Sequence, residues 1–247
     1  MSTTPVIALS LTNYARTWLQ TAQHVRVLHR FEHVHNLIDN NGWVVSLVTP
    51  TIGNGPFHVV VPHLCDYQDV DPTYATLWNA QPDWHRASHI KKHLALLKSY
   101  LISHTPAPTS PFEQRVHYHL ETTTHRVLEA LHHPVLLQQA VQIVAGQGLG
   151  LTPAGDDWLV GCMIALYLEG YPEIALHIAQ TARPATTPLS AAWVWMAGQG
   201  QVSEHWHHLL NAHSIQAIES ANLAILNQGH SSGVDAMRGF IQTLDAL

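Results

Sequence analysis

The chain has 247 residues, 46% of them hydrophobic, enough for a substantial core in one large domain or two smaller ones. Eleven Lys and Arg, scattered rather than clustered, face seventeen Asp and Glu for a net charge of -6, which argues against a nucleic-acid partner. Two cysteines without CxxC spacing argue against a secreted disulfide scaffold, and no stretch approaches the ~18 apolar residues of a membrane span.

The first residues, Met1 to Leu11, lack a basic segment followed by a long apolar run, so a cytoplasmic protein, neither exported nor membrane-bound, is expected. A short helical stretch covers Leu11 to Ala22. Val25–Phe31, Val34–Ile38, Trp43–Thr49 and Phe57–Val61 are rich in β-branched and aromatic residues and predict strands. Asp39-Asn40-Asn41-Gly42 and Gly53-Asn54-Gly55-Pro56 between them are turn signals.

Cys65 to Ser88 is irregular. Beyond it, apolar residues recur at helical spacing in Ile90–Ile102, Phe112–Leu131 and Val135–Ala145. Helical patterns continue over Asp157–Glu169, Ile174–Ala182, Leu189–Ala197, Glu204–Leu210, Ile215–Leu226 and Ser232–Ala246, broken by glycines and prolines. Thr105–Pro111, with three prolines, is the linker candidate. The expected class is α+β, with a small antiparallel β-rich sheet or barrel over residues 1–88 packed on a larger helical part over residues 89–247.

Twenty-one histidines raise the possibility of metal, through His117-Tyr118-His119, His132-His133 or His205-Trp206-His207-His208. Such spacings on a helix point the rings to different faces, and no HExxH occurs. No metal site is assigned to them.

The densest chemistry lies in Gly146-Gln147-Gly148-Leu149-Gly150-Leu151-Thr152-Pro153-Ala154-Gly155-Asp156-Asp157-Trp158-Leu159-Val160-Gly161. Its glycines let the main chain approach a ligand closely, and the run opens a helix whose N–H groups favour an anion. One aspartate suffices as a helix cap. The second is free to accept hydrogen bonds from substrate nitrogens or to hold a divalent cation.

A second motif, Gly229-His230-Ser231-Ser232-Gly233-Val234-Asp235, formally satisfies G-x-S-x-G. A nucleophile elbow needs a preceding strand and a later histidine; a helix precedes it and no histidine follows. Ser232 and Asp235 have capping-box spacing, while His230, the hydroxyls and Arg238 two turns on suit a phosphate or carboxylate. Thr186-Thr187-Pro188-Leu189-Ser190 reads as one more capped helix start. No Walker loop or dinucleotide fingerprint occurs.

Together the GxGLGLTPxGDDxLxG run, the later Ser190-Ala191 helix start and the terminal GHSSGxD resemble the AllH-like family, named for a subunit of bacterial oxamate carbamoyltransferase. Asn36 through Pro56 is also similar. The resemblance implies a role in anaerobic allantoin breakdown, interconverting carbamoyl phosphate and oxamate with oxalurate and phosphate in a complex with two other subunits. Carried onto this chain, it implies a site of Thr152, Asp156, Asp157, His230, Ser231, Ser232 and Asp235 without assigning their chemical roles; the expectation here is that Asp156, Asp157 and His230 are catalytic and that Thr152, Ser231, Ser232 and Asp235 bind substrate. The loop glycines Gly148, Gly150, Gly155 and Gly233 complete the expected binding set. Ala154 stands where the family pattern has serine, which bears on the choice of substrate.

On this reading the Gly229–Gly233 turn with the helix amino terminus holds phosphate or the oxamate carboxylate, Asp156 and Asp157 orient nitrogens or hold a cation such as Mg2+, and His230 moves a proton. Two alternatives remain at this point. Adjacent aspartates also suit a Mg2+-dependent hydrolase on a helical scaffold. A non-catalytic assembly subunit is the other.

Overall fold

The computed structural model describes residues 5–107 and 110–247, so residues 108–109 of the expected linker lie outside the described residues. The chain divides into two compact units, Met1–Gln81 with Val202–Glu204, and Pro82–Gln201 with His205–Leu247.

The first unit contains β1 (Val6–Ile7), β2 (Ser10–Leu11), α1 (Asn13–Thr21), β3 (Arg26–Arg30), β4 (Val34–Ile38), β5 (Val44–Val48), β6 (His58–Val60), β7 (Val70–Asp71) and β8 (Thr76–Leu77). A six-stranded sheet has the order β3-β4-β5-β6-β2-β8, and β1 pairs with β7 separately. All five residues of β5 are buried, which explains its continuous apolar sequence. Its one polar residue, Ser46, donates to Asn36 Oδ1 at 2.6 Å, so the hydroxyl is satisfied within the sheet. Trp18, Leu37, Val45, Leu47 and Val59 form the centre of the unit's core.

The α+β layout is as expected, but the sheet is mixed rather than antiparallel. β5 runs parallel to β6, and β2 parallel to β8. The Gly53–Pro56 segment is therefore not a hairpin turn. Its Asn54 N–H donates to Glu204 Oε2 at 2.8 Å, and the Glu204 N–H donates back to Asn54 O at 2.9 Å. Anchored on that carboxylate, the connection returns along the sheet and delivers His58 opposite Ser46.

The second unit is helical: α2 (Trp84–Ala87), a 3-10 segment at Ser88–His93, α3 (Leu94–His104), α4 (Pro111–Glu129), α5 (Pro134–Val144), α6 (Ala154–Leu168), α7 (Pro172–Ala182), α8 (Pro188–Ala197), α9 (Glu204–Leu210), α10 (Ile215–Leu226) and α11 (Ser232–Ala246). Twelve of the fifteen residues of α6 are buried, so this helix is apolar nearly all round and forms the unit's axis. Leu137, Val141 and Val144 of α5, Ile178 of α7 and Val194 of α8 pack in its core. Each such buried large side chain contributes about 1.5–3 kcal/mol relative to exposure.

α11 crosses α6 at backbone contact. A Cβ on Gly161 would lie 1.7 Å from Ala236 O, and one on Gly239 2.0 Å from Trp158 O. The last glycine of the GDDxLxG run is thus required by helix packing, and this close approach brings the start of α11 to the start of α6. Among the described residues no helix is long and apolar enough to cross a membrane.

Candidate functional site

After α5 the chain enters the left-handed region at Gly146, with φ +73°, and turns through the glycine loop into α6. The helix starts at Ala154, three residues earlier than the apolar spacing predicts, because Pro153 at the N-cap has φ -54° and delivers the chain directly into the first turn. Asp156 and Asp157 therefore lie inside the helix, and neither caps it.

Asp156 instead staples the loop. One carboxylate oxygen accepts the Gly146 N–H at 2.8 Å and the other accepts the Thr186 hydroxyl. The Gly155 N–H closes the loop onto Gln147 O at 2.8 Å, and Thr187 Oγ1 donates to Leu151 O at 2.7 Å. Thr187 also caps α8 by accepting the Ser190 N–H at 3.2 Å, so the Thr186–Ser190 segment is a cap as expected and a brace for the loop besides. Asp156 is 1% exposed; burial raises its carboxyl above the ordinary range, opposed by Thr186, the Gly146 N–H and Ser190. Both of its carboxylate oxygens are engaged by the protein, which gives Asp156 an architectural part in the loop.

At the second motif the expected capping box does not form. Ser231 is the N-cap of α11 and makes no side-chain cap bond; the Asp235 N–H donates to Ser231 O at 2.9 Å. Asp235 accepts from Arg238 Nη1 at 2.6 Å, in a pair whose side chains are 8% and 18% exposed. Burial raises the Asp235 carboxyl, opposed by Arg238, by the Ser231 hydroxyl and by the charge of His117 on α4. Gly233 belongs to the scaffold: a Cβ there would lie 1.7 Å from Ile225 O. His230 is exposed and makes no hydrogen bond or ion pair among the described residues.

The two motifs meet. Thr152 Oγ1 and Ser232 Oγ are 2.9 Å apart across eighty residues of chain. Beside them stands Asp157, 9% exposed, whose Oδ2 is buried and has no hydrogen-bond partner. Burial, together with the charges of Asp235 and Asp156, pushes its carboxyl up to about 8 against the opposing influence of the Ser232 and Thr152 hydroxyls. A buried carboxyl oxygen left unpartnered in a polar junction is where a ligand would gain most, because the desolvation has already been incurred.

Two hollows open in the same helical unit, one reaching Trp158 next to Asp157 and the other the glycine loop. One, of about 60 Å³, is lined by His117, Glu121 and Thr124 of α4, Trp158 of α6 and Arg238 and Gln242 of α11. The other, of about 410 Å³, lies between Arg115, Val116 and His119 of α4 and Gln147 and Gly148 of the loop. The main-chain N–H groups of Gly148, Leu149 and Gly150 have no partner among the described residues. Of the α4 residues, His117 and His119 stand out in the sequence only as a His-x-His pair considered for metal, while Arg115, Glu121 and Thr124 form no motif and only the tertiary fold carries them to these hollows.

The residues present do not fit a bound Mg2+. Among the described residues no group of three or more His, Cys, Asp and Glu could hold a metal ion. Asp156 is engaged by Gly146 and Thr186, and Asp235 by Arg238, so carboxylates do not converge on a common point.

Residues 144–244 match the family model described as oxamate carbamoyltransferase subunit AllH. The matched stretch runs from the last residue of α5 into α11 and contains both glycine motifs and the whole Thr152–Asp157–Ser232 junction. No solved structure matches this chain.

Proposed function

We propose that this chain is one subunit of a cytoplasmic carbamoyltransferase that interconverts carbamoyl phosphate and oxamate with oxalurate and phosphate in allantoin breakdown, working with two other subunits. The observation that carries this reading is the convergence of the two glycine motifs on Asp157, within the stretch that matches the AllH family. In the reaction the oxamate nitrogen attacks the carbamoyl carbon, the carbon–oxygen bond to phosphate breaks, and the nitrogen gives up a proton as phosphate leaves. Such a transfer needs an anion cradle, a donor for the oxygen that gains charge, and groups that orient two nitrogens.

The chain offers these parts in adjacent places. The Gly148–Gly150 N–H groups and Arg115 across the larger hollow supply counter-charge for phosphate or carboxylate. Thr152, Asp157 and Ser232 orient the reacting groups. Ser231 at the cap and Asp235, paired with Arg238, support them, and His230 on the exposed turn is the group assigned to carry the proton away from the attacking nitrogen. Gly155, Gly233 and Asp156 shape the loop and the crossing rather than touching substrate.

The test is phosphate release from carbamoyl phosphate and oxamate by the complex of this chain with its two partner subunits. Asp157→Ala is expected to lower turnover by about 100-fold, the scale of a lost positioned acid or oxyanion donor. Full turnover in that variant, together with full turnover in Thr152→Val, would leave only an assembly role for the chain. Turnover with another amide and none with oxamate would retain the transferase and change its substrate.

A further inference from the structure

We propose that Asp157 recognises a primary amide or carbamoyl group, donating a hydrogen bond to its oxygen and accepting one from its nitrogen. This rests on the reading of the Thr152–Ser232 junction as the substrate site and specifies the chemical group taken there. The argument begins from what surrounds the carboxyl. On its own helix, Asp156 is held by Gly146 and Thr186. From α11 come Asp235, whose oxygen is held by Arg238 at 2.6 Å, and Ser232, whose hydroxyl meets Thr152 at 2.9 Å. From α4, His117 faces Asp235, and Glu121 lies with it in the smaller hollow.

No cation in this set faces Asp157 directly, and the Thr152–Ser232 bond consumes one of the two hydroxyl protons. An ionised carboxylate would be left uncompensated at 9% exposure with Oδ2 unpartnered. A neutral carboxyl resolves the conflict, presenting one O–H donor and one acceptor oxygen side by side. The charges and burial that push this group to about 8 keep the proton on it at neutral pH. The partner with the complementary pattern is an amide, which offers a carbonyl oxygen and a syn N–H at the same spacing. A carboxylate or phosphate offers acceptors only, and an ammonium donors only; each leaves one of the two Asp157 positions opposed by a like group.

The experiment is calorimetric binding of oxamate, acetamide and urea, with oxalate as the amide-free counterpart, to the full chain below and above pH 8. Oxamate is expected to bind about tenfold tighter than oxalate below pH 8, and its own affinity is expected to fall about tenfold per pH unit above pH 8 as the donor proton is lost. Asp157→Asn, whose side chain keeps a donor and an acceptor, is expected to retain the preference without the pH break. Asp235→Asn is expected to move the break to lower pH. Equal binding of oxalate and oxamate, a break that persists in Asp157→Asn, or no binding of any amide by the folded chain overturns the proposal.

The two readings fail separately. Phosphate release by the assembled complex with oxamate, alongside no amide preference in the chain, retains the transferase and removes this role of Asp157. An amide preference with the pH break, alongside a complex inert with oxamate, retains the amide site and removes the named reaction.

Discussion

The Thr152 and Ser232 hydroxyls hold two sequence-distant glycine motifs together at 2.9 Å. Ser232 does not form the capping box its spacing suggests; its hydroxyl meets Thr152 instead, and both hydroxyls lie beside the Asp157 carboxyl. Thr152→Val and Ser232→Ala each remove one half of the pair at little change in volume. Each is expected to reduce stability by about 1 kcal/mol, while turnover of the assembled complex falls by about 10-fold or more because Asp157 loses its orienting neighbours. The double variant is expected to be no worse than the poorer single one, as befits one shared bond. Strictly additive losses in turnover would show that the two hydroxyls act separately.

Gly161→Ala is expected to destabilise the protein by about 3 kcal/mol or more, read as a fall in the thermal midpoint. The new methyl would sit 1.7 Å from Ala236 O, a backbone atom that only separation of the helices can move. Gly239→Ala, 2.0 Å from Trp158 O, is expected to behave alike. Gly150→Ala is the control: nothing lies within 4 Å of its Cβ and only its φ of +96° opposes the change, at about 1 kcal/mol. Equal midpoints for Gly161→Ala and Gly150→Ala would mean that the crossing is not as close as described.

These glycines mark how far the sequence could be read. The buried run Val44–Val48, the turn at Asp39–Gly42 and the late helices follow from local pattern, because alternation, turn chemistry and helical spacing act within a few residues. The direction of β6 does not, since it depends on Glu204, 150 residues beyond Asn54. Likewise the two aspartates are chemically identical in sequence. Thr186, thirty residues on, makes Asp156 a staple, and Ser232 makes its neighbour Asp157 part of a junction. Arg115 left no local trace, and His117 showed only as half of a His-x-His pair, because a residue that lines a hollow from a helix needs no motif.

Asp157→Asn is expected to stabilise the protein at neutral pH. The folded carboxyl sits at about 8, above the ordinary 3.8, so the folded state binds this proton more tightly than the unfolded chain. The contribution is full below about pH 4 and declines as pH rises toward 8, where an unfolded, ionised aspartate is favoured. Asparagine removes that dependence. Denaturant unfolding between pH 4 and 8 is expected to show a gap between variant and wild type that widens with pH, reaching roughly 2–4 kcal/mol near neutrality. Asp156 and Asp235, also raised, leave a slope of the same sign in both proteins. A gap that stays constant or narrows would mean that Asp157 is ionised in the folded protein.

Arg238→Met tests the other half of the buried charge arrangement. Its guanidinium meets Asp235 at 2.6 Å with both side chains largely buried, so removal leaves a carboxylate without its counter-ion, and a loss of about 3–5 kcal/mol is expected at neutral pH. Burial already raises Asp235, and loss of Arg238 raises it further. Lowering the pH then allows Asp235 to take a proton instead of a partner, and the deficit is expected to shrink from pH 8 to pH 5. Asp235→Asn combined with Arg238→Met is expected to recover most of the stability, since a buried pair is costly to break and nearly neutral to replace. A deficit of the same size at both pH values, unrelieved by the second substitution, would assign the Arg238 contribution to the packing of its aliphatic stem over the smaller hollow rather than to its charge.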